Sequence, residues 1–458
     1  MIDRIPYDRS GLRTSVVHLG LGAFSRAHLL TYLDDLARAG ACEVGVLGAS
    51  LQSERTADAL VGQGCRYTFV EASAAGRQLR EIGVLADVAG PARRHDLLRA
   101  LADPSTTLVT TTVTEKAYGF DPVTRGLDPD HAAIRHDLAH PDSMTGVVGT
   151  LVAGLAARRS AGAGPVTVAC CDNVADNGHM LAGVVTAVAD RVDPATSAWI
   201  AEHVAFPCSM VDRIVPATTD ELRAEVAAAG FDDAWPVVGE PYRQWVLEDR
   251  LGPGLPDLAS VGVQLTDDVA SWERMKLRVL NGMHSACAYL GLRRGLPTIA
   301  DVVATPEASS FLDELQVEIL SVLDPPLGED PDAYAATVRS RFSNPEVGHR
   351  CRQIAMDGSA KLPQRILPTV AAALDAGASV RALARVLAWW VGHLRRTPPG
   401  ELEDPRAGEL SALVRDHLDG TSLAGALMAL DGFAPARLRD DAAWLQILAE
   451  AVDCEGAP

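Results

Sequence analysis

Lysine is the residue type that this 458-residue chain largely lacks. Lysine and arginine together number 41, and only Lys116, Lys276 and Lys361 are lysines, which leaves 41 − 3 = 38 arginines. An arginine keeps its proton near neutral pH, whereas a lysine can lose it, so each remaining lysine is a candidate proton-transfer group. Chance survival in an arginine-rich background is the alternative explanation for any one of them.

The chain also lacks an excess of basic charge, C-x-x-C cysteine pairs and long apolar runs. A net charge of -19 and a pI of about 5.0 predict no nucleic-acid partner but allow a small anionic substrate. The eight cysteines include no C-x-x-C pair, which gives a structural zinc site or redox pair little support. The charged start MIDRIPYDRSGLRTS does not resemble a signal peptide, and no apolar run could span a membrane. We therefore expect a reduced cytoplasmic protein without a metal ion or a membrane partner.

The chain is longer than one hydrophobic core usually requires, which predicts two domains, 1–268 and 269–458. In SVVHLGLGAFSRAHLLTYLDDLARAG, an apolar strand at 16–19 runs through Gly20-Leu21-Gly22 into an amphipathic helix. The apolar side of that helix carries Leu29, Leu30, Leu33, Leu36 and Ala37. Strand, glycine turn and helix open a dinucleotide-binding unit, where the glycines let the backbone approach a pyrophosphate. Ser25 stands where the third glycine of the usual pattern is found, so the pattern alone is weak.

Four further extended segments follow in the first domain. Strand 43–47 precedes GASLQSER, where the usual ribose-binding acid is missing and Glu54 is the nearest acid, so NAD and NADP both stay open. Strands also begin 106–118 and 165–181, and ligands bind at the carboxyl ends of such strands. Polar residues fall at those ends, namely Thr114, Glu115, Lys116 and Asn173. A fourth segment, 203–218, buries Asp212 and Arg213.

The second domain is predicted to be all helical. The loop-rich passage 247–269 ends the first domain, and strand patterns nearly vanish after residue 272. Helices are predicted at 273–291, 308–323, 332–342, 366–374, 380–396 and 408–418. The predicted fold class is therefore an α/β Rossmann-type N-terminal domain plus an all-α C-terminal domain.

The helix 273–291, ERMKLRVLNGMHSACAYLG, has no face that suits water. At about 100° per residue, Glu273, Lys276, Asn281 and His284 share one arc of about 140°. Lys276 on such a helix would lose hydration, its pKa would fall toward neutrality, and the neutral amine could act as a general base. A lysine that reaches outward to water, or pairs with Glu273, is the alternative.

Other polar residues suggest what such a base would serve. Asn173 and Asn281 can supply two amide donors to an alkoxide or carbonyl oxygen, although Asn173 equally suits a turn cap. Asp212 either orients His284 or pairs with Arg213. Lys361 lies in a segment that we interpret as a turn before a helix or as a surface loop.

These residues resemble the polyol-specific long-chain dehydrogenases, the mannitol dehydrogenase family, over nearly the full length. The family patterns G-x-G-x-F-x-R-A-H, T-x-T-E, S-C-D-N-x-x-x-N-G and F-P-x-x-M-V-D-R-I correspond to residues 20–28, 112–115, 170–178 and 206–214. The signature K-x-x-x-x-N-x-x-H corresponds to Lys276, Asn281 and His284. The resemblance implies zinc-free hydride transfer with a nicotinamide cofactor, NAD in the first instance. The predicted cofactor-binding residues are Gly20, Gly22, Ala23, Phe24, Arg26, Thr114 and Glu115.

The resemblance also implies the catalytic roles. Lys276 is expected to be the general acid/base, and Asn173 with Asn281 the oxyanion site. His284 is expected to contact the substrate, Asp212 to support the site and Glu273 to exchange protons with solvent. We expect the active site in the cleft between the two domains, and a monomer or weak homo-oligomer.

The substrate branch of the family is harder to assign. Gln353 replaces an arginine of mannitol 2-dehydrogenases, and RFSNPEVGHR…QIAMDGSAKLPQR with TVTEKAY look more like the branch that interconverts D-mannonate and D-fructuronate. DDAWPVVGEPYRQWVLED is close to the mannitol enzymes. A hexuronate carboxylate would need a cation, for which the candidates are Lys116, Arg350, Lys361 and Arg365, with help from His349. The alternatives are a mannitol, arabinitol or sorbitol dehydrogenase acting on D-fructose or a ketopentose, and a non-catalytic dinucleotide-binding sensor.

Overall fold

The computed structural model describes residues 2–41, 44–121 and 124–456, and it divides the chain into two compact units, Met1–Ala270 and Ser271–Pro458. The predicted strand 43–47 begins at Glu43, which lies outside the described residues, as do the ends of both predicted domains, Met1 and Pro458. Short 3-10 helices lie at Arg9–Gly11, Pro91–Arg93, Glu115–Tyr118, Pro141–Ser143, Leu258–Val261, Pro345–Val347 and Pro399–Glu401.

The first unit contains strands β1 to β15 and helices α1 to α9. In chain order the strands are Ile2–Asp3, Arg13–Leu19, Val44–Ala49, Tyr67–Ser73, Gly76–Ile82, Leu85–Ala89, Leu108–Thr111, Phe120–Asp121, Gly126–Leu127, Val166–Cys170, Val204–Ala205, Ser209–Asp212, Val237–Gly239, Gln244–Glu248 and Gln264–Thr266. The helices are Ala23–Ala27, Leu29–Arg38, Arg55–Gly62, Arg94–Ala102, Ala132–Ala139, Val147–Ala161, Asn177–Val192, Pro194–His203 and Asp220–Ala228.

A six-stranded parallel sheet in the order β11-β10-β7-β2-β3-β6 forms the centre of this unit. The order reverses between β2 and β7, as in doubly wound dinucleotide-binding folds. Smaller sheets have the orders β1-β5-β4-β13, β12-β14-β15 and β8-β9. The predicted Rossmann-type domain is therefore confirmed. The passage 247–269, predicted to be rich in loops, contains the short strand β15.

Both faces of the central sheet are covered, which explains its continuous apolar strands. Successive residues of β2 contribute to different hydrophobic cores. Val16 belongs to the core that includes α2, and Val17 belongs to the core that includes α6 and α7. The predicted apolar face of α2 is buried in full, namely Leu29, Leu30, Leu33, Leu36 and Ala37. The single helix predicted after the glycine turn is interrupted at His28, where φ is -116° and ψ is -82°.

Every named secondary-structure element among the described residues 271–456 of the second unit is a helix, which confirms the predicted all-α domain. Thr298 and Arg350 also form an isolated antiparallel β-bridge, which belongs to no strand. Helices α10 to α22 are Val269–Met275, Gly282–Arg294, Ile299–Val303, Pro306–Leu320, Pro331–Phe342, Cys351–Ala355, Gly358–Arg365, Leu367–Asp375, Arg381–Arg396, Ala407–Asp416, Gly420–Ala429, Ala436–Arg439 and Ala442–Gly456. Between α10 and α11, Lys276–Asn281 forms a π-helix.

Two local predictions in this unit need correction. Lys361 lies within α16 and is half-buried, so it belongs to neither a turn nor a surface loop. The 100°-per-residue geometry assumed for 273–291 fails at the π-helix, because i→i+5 hydrogen bonds widen the turn and reduce the rotation per residue.

Candidate active site

The glycine turn after β2 lies where the strand order of the central sheet reverses. Gly20 has φ +93°, and a Cβ atom there would meet the Thr112 carbonyl oxygen at 2.2 Å. Only glycine fits both the backbone conformation and this approach to the end of β7. Ser25, in place of the third glycine, accepts a hydrogen bond through its hydroxyl from the Gly22 amide at 3.1 Å. The turn is thus stable without that glycine.

A cavity of about 350 Å³ opens beside this turn. Gly20 and Gly22 line it, with Thr112 and Val113 after β7 and Ser50 and Gln52 after β3 among the other lining residues. In open α/β sheets, ligands bind at the carboxyl ends of strands where the order reverses. The cavity, the close backbone approach and the glycines fit the pyrophosphate part of a dinucleotide.

The remaining residues of the predicted glycine pattern lie deeper. Arg26 is buried, and its guanidinium donates to the carbonyl oxygens of Gly22 and Trp235. Phe24 stacks on the buried His28 ring with centroids 5.0 Å apart. Burial lowers the pKa of Arg26 to about 10 and that of His28 to about 3. Arg26 therefore holds the turn through backbone oxygens, while the cofactor contacts of Ala23, Phe24 and Arg26 stay predictions.

Thr114 follows β7 in an unusual backbone conformation, with φ 81° and ψ 147°. A β-branched residue pays a steric cost there, and such strain persists only where neighbouring groups hold it. Asp172 accepts hydrogen bonds from the amides of Val113 at 3.0 Å and Thr114 at 2.9 Å. Its carboxylate also accepts the Tyr118 hydroxyl at 2.6 Å.

Asp172 is a residue that our sequence reasoning passed over, although it stands inside the C-D-N pattern. Burial raises the pKa of its carboxyl group, while the bonds from Tyr118, Val113 and Thr114 act in the opposite direction. The carboxylate ties the segment after β7 to the segment after β10, which carries Asn173. It therefore positions the predicted Thr114 and Asn173 together at one edge of the sheet.

The acidic residue nearest the end of β3, Glu54, already accepts a hydrogen bond from the protein backbone. Glu54 accepts the Ala92 amide at 2.6 Å, and a Cβ atom on Gly90 would overlap its carboxylate. Glu54 thus caps the turn at 90–92. Glu115 and Lys116, in contrast, are exposed beside Thr114, and Asn173 is exposed in the next segment.

Asp212 ends β12 and is buried at 5% exposure. It lies near enough to His28 to oppose the fall in the pKa of that ring. The neighbouring Arg213 is also buried. Its guanidinium donates hydrogen bonds to the carbonyl oxygens of Glu240 and Ala27 and lies 3.4 Å from the Glu71 carboxylate.

Lys276 begins the π-helix and is 6% exposed, whereas Glu273 and Asn281 are half-buried. The i→i+5 hydrogen bonds of a π-helix place residues five apart one turn from each other. The K-x-x-x-x-N spacing therefore puts Lys276 and Asn281 closer to one face than an α-helix would. π-helical turns of this kind are frequent at functional sites.

His284, the third residue of α11, is buried and stacks against two rings. The centroid of Phe342 lies 4.9 Å away on α14, and that of His349 also lies 4.9 Å away. His349 Nδ1 is 3.1 Å from His284 Nε2. Burial lowers the pKa of His284 well below its usual value and that of His349 to about 4, so both rings are neutral at pH 7.

Three cations contribute to the depressed pKa of His284, namely Arg365, Arg341 and Lys361. Arg365 donates to the hydroxyl of Ser285, the residue after His284, at 3.1 Å. Lys361 donates to the Ile354 carbonyl oxygen at 3.3 Å. The structure thus brings the predicted Lys361 and Arg365 together, while Arg350 is exposed and Lys116 belongs to the other unit.

Arg341 is the residue of this cationic group that we did not predict. It is buried at the end of α14, beside the Phe342 ring that stacks on His284. The sequence offered a signal, because Arg341 opens the block RFSNPEVGHR, from which we selected only the histidine and arginine at its end.

Within the described residues, no helix is long and apolar enough to cross a membrane.

Comparisons with known proteins agree with both units. The mannitol dehydrogenase Rossmann domain matches residues 14–259, and the mannitol dehydrogenase C-terminal domain matches residues 268–453. D-mannonate oxidoreductase of Escherichia coli (strain K12) is 39% identical over 447 residues, covering 94% of this chain and 91% of that protein. Mannitol 2-dehydrogenase of Cereibacter sphaeroides is 36% identical, covering 90% of this chain and 87% of that protein.

Two solved structures are similar over almost the whole chain. The Pseudomonas fluorescens mannitol 2-dehydrogenase ternary complex with NAD and D-mannitol gives a TM-score of 0.87 at 32% identity, covering 99% of this chain and 94% of that one. The structure of a substrate-free D-sorbitol dehydrogenase gives a TM-score of 0.89 at 30% identity, covering 99% of this chain and 95% of that one. On these matches and its fold, the chain belongs to the mannitol dehydrogenase family and is a dehydrogenase that acts on CH–OH groups.

Proposed function

We propose that this dehydrogenase interconverts D-mannonate and D-fructuronate with NAD(H). The observation that carries the substrate assignment is the cationic group around His284, formed by Arg341, Lys361 and Arg365. A hexuronate has a carboxylate that mannitol lacks, and charge-assisted hydrogen bonds from guanidinium and ammonium groups suit it. The similarity to Escherichia coli D-mannonate oxidoreductase supports the same substrate.

In the proposed mechanism Lys276 carries the proton of the substrate hydroxyl. Its burial disfavours the charged ammonium, so a neutral amine is available to accept that proton during oxidation and to return it during reduction. Asn281, one π-helical turn away, donates to the oxygen as its charge changes, and the neutral His284 contacts the substrate. When bound, the nicotinamide accepts or supplies the hydride. The roles of Asn173, Asp212 and Glu273 stay predictions.

NAD is the proposed cofactor, supported by the Rossmann-type fold, by the glycine-lined cavity and by the NAD complex of the related mannitol 2-dehydrogenase. Because Glu54 caps a turn, no acid is obvious for the adenosine ribose, and NADP is the alternative. We propose no metal ion for the reaction itself, since Lys276 supplies the proton acceptor.

The proposed domains are a Rossmann-type dinucleotide-binding domain at 1–268 and a helical substrate-binding domain at 269–458. We propose that the protein is a monomer or a weak homo-oligomer.

A polyol dehydrogenase is the second candidate. The related mannitol 2-dehydrogenases and the D-sorbitol dehydrogenase structure favour it. D-fructose or a ketopentose would then be the ketone, and the cations around His284 would bind hydroxyl groups.

A spectrophotometric panel distinguishes these functions. NADH and NADPH would each be tested against fructuronate, tagaturonate, fructose and ribulose. We expect the highest kcat/KM for NADH with fructuronate. A higher kcat/KM for fructose or ribulose would establish the polyol alternative, and nucleotide binding without reduction of any ketone would indicate the non-catalytic sensor.

Arg365→Gln tests the proposed carboxylate contact. Losing one charge-assisted hydrogen bond should lower kcat/KM for fructuronate about 10- to 100-fold. The loss for fructose should be clearly smaller, and Arg365→Lys, which keeps the charge, should retain part of the fructuronate activity. Equal losses for both ketones would argue against a carboxylate at this position.

A further inference from the structure

Three side chains with metal-binding atoms meet at the start of α7, in the first unit. His179 Nδ1 is 2.5 Å from Asp176 Oδ1, Cys208 Sγ is 3.5 Å from the same oxygen, and Cys208 Sγ is 3.6 Å from His179 Nδ1. Asp176 and His179 are three residues apart across the first turn of α7, and Cys208 comes from the segment before β12. None of the three belongs to the fixed positions of the family patterns given above.

These distances suit a tetrahedral zinc ion. With bonds of about 2.3 Å to sulfur and about 2.0 Å to nitrogen and oxygen, a sulfur ligand lies about 3.5 Å from each neighbouring ligand atom. Cys208 Sγ already has that separation from both partners. The nitrogen and oxygen should be about 3.3 Å apart, so His179 and Asp176 need to separate by less than about 1 Å.

The backbone around the cluster is held rigidly. Asn177, the first residue of α7, accepts the Ser209 amide at 2.9 Å and donates to the Ser209 carbonyl oxygen at 2.8 Å. Glu248 accepts the Cys208 amide at 2.9 Å. A Cβ atom on Gly178 would lie 2.6 Å from the Cys208 nitrogen, so the helix start and this segment pack directly against each other. Hydrogen bonds and close packing therefore fix the backbone positions of the three residues.

The His179 side chain is largely exposed and borders a cavity. His179 lines a cavity of about 260 Å³ together with Phe206 and Arg250. Arg125 lies 3.3 Å from Asp176 Oδ2, the oxygen that faces away from the sulfur and nitrogen contacts, and its side chain is mostly exposed. Asp176 Oδ1 is thus the oxygen available to an ion, although the neighbouring guanidinium groups weaken the attraction.

We infer that Asp176, His179 and Cys208 form a binding site for a zinc ion. The bound ion would link the start of α7 to the segment before β12. A thiolate, an imidazole and a carboxylate are the ligands that zinc prefers, and a site with three protein ligands leaves one position for water. The ion would stabilise the segment that carries Asn173 without taking part in hydride transfer.

Titration with Co²⁺ as a spectroscopic substitute for zinc tests the site directly. The full-length wild-type protein should develop a thiolate-to-cobalt charge-transfer band with one equivalent of the ion, and added Zn²⁺ should remove the band. Cys208→Ser and His179→Gln should lose it. His179→Gln changes a largely exposed side chain and should fold normally. Cys454→Ser, which alters an exposed thiol in α22, is the matched control and should retain the band.

Thermal unfolding gives a second measurement. Added Zn²⁺ should raise the Tm of the wild type and of Cys454→Ser but leave the Tm of Cys208→Ser unchanged, because an ion that binds the folded state stabilises it. Absence of the charge-transfer band in the wild type, or its persistence in Cys208→Ser, would overturn the assignment. Neither readout depends on the substrate or on hydride transfer.

Discussion

At the scale of single residues, burial separates the three lysines of the chain. Lys276 is 6% exposed, whereas Lys361 is half-buried and Lys116 is exposed. A buried ammonium loses hydration, which favours the neutral amine, so burial supports the role in proton transfer that we propose for Lys276. The scarcity of lysine was visible in the sequence, but the difference in burial among the three was not.

Lys276→Arg should lower turnover severely even though it conserves the positive charge. A guanidinium does not give up its proton in a protein, so the variant cannot accept the hydroxyl proton. The expected loss in kcat is about 100- to 10,000-fold, the usual contribution of a general acid/base. Steady-state rates at saturating ketone and cofactor measure it, and turnover within tenfold of the wild type would contradict the role.

At the scale of elements, the π-helix at Lys276–Asn281 and the strained segment after β7 are the two irregular features that carry predicted site residues. The sequence identified Lys276, Asn281 and His284 as neighbours on one helix. It did not reveal the π-helix, because periodicity arguments assume a constant rotation per residue. The strain at Thr114 was equally hidden, because it depends on Asp172, which is distant in sequence and supplies the two hydrogen bonds that hold the backbone.

Thr114→Gly should raise the free energy of unfolding by about 1 kcal/mol. Glycine adopts the observed φ of 81° without strain, and that relief exceeds the entropy lost with a more flexible unfolded chain. Urea denaturation followed by circular dichroism measures the change. Thr114→Ala is the matched control, because it also removes the hydroxyl but keeps the strain, so it should show no gain. Equal stabilities for the two variants would refute the argument.

At the scale of the whole molecule, the fold class of each unit could be predicted from the sequence, whereas the partners of its buried polar residues could not. Hydrophobic patterns separate β-rich from helical regions, so the Rossmann-type sheet and the all-α second unit follow from the sequence. Buried polar residues such as His18, His28 and Arg341 depend on partners from distant segments, which no local pattern encodes. His18, for example, contacts the hydroxyl groups of Thr110 and Thr112 across neighbouring strands.

These buried histidines predict acid sensitivity. Burial lowers the pKa of His18 to about 4 and that of His28 to about 3, against 6.5 when exposed. The unfolded chain therefore binds more protons below pH 6.5, so stability is complete above that pH and falls as the pH drops toward 4. At about 1.4 kcal/mol per pKa unit, the contribution can reach about 3 kcal/mol for His18 and about 5 kcal/mol for His28.

Urea denaturation at pH 7 and pH 5 measures this loss. The free energy of unfolding should be clearly lower at pH 5, and His28→Gln should reduce the pH dependence by about one proton. A wild-type protein equally stable at both values would contradict the assignment of neutral, buried histidines.

The central claim is that Lys276 moves the proton that accompanies hydride transfer, and Lys276→Ala tests it most directly. NADH binding would be followed by fluorescence, and single-turnover oxidation of the bound NADH by fructuronate would be followed by absorbance. We predict wild-type affinity for NADH and a rate of hydride transfer reduced by about 100- to 10,000-fold. A rate near that of the wild type, with NADH and fructuronate both bound, would contradict the account.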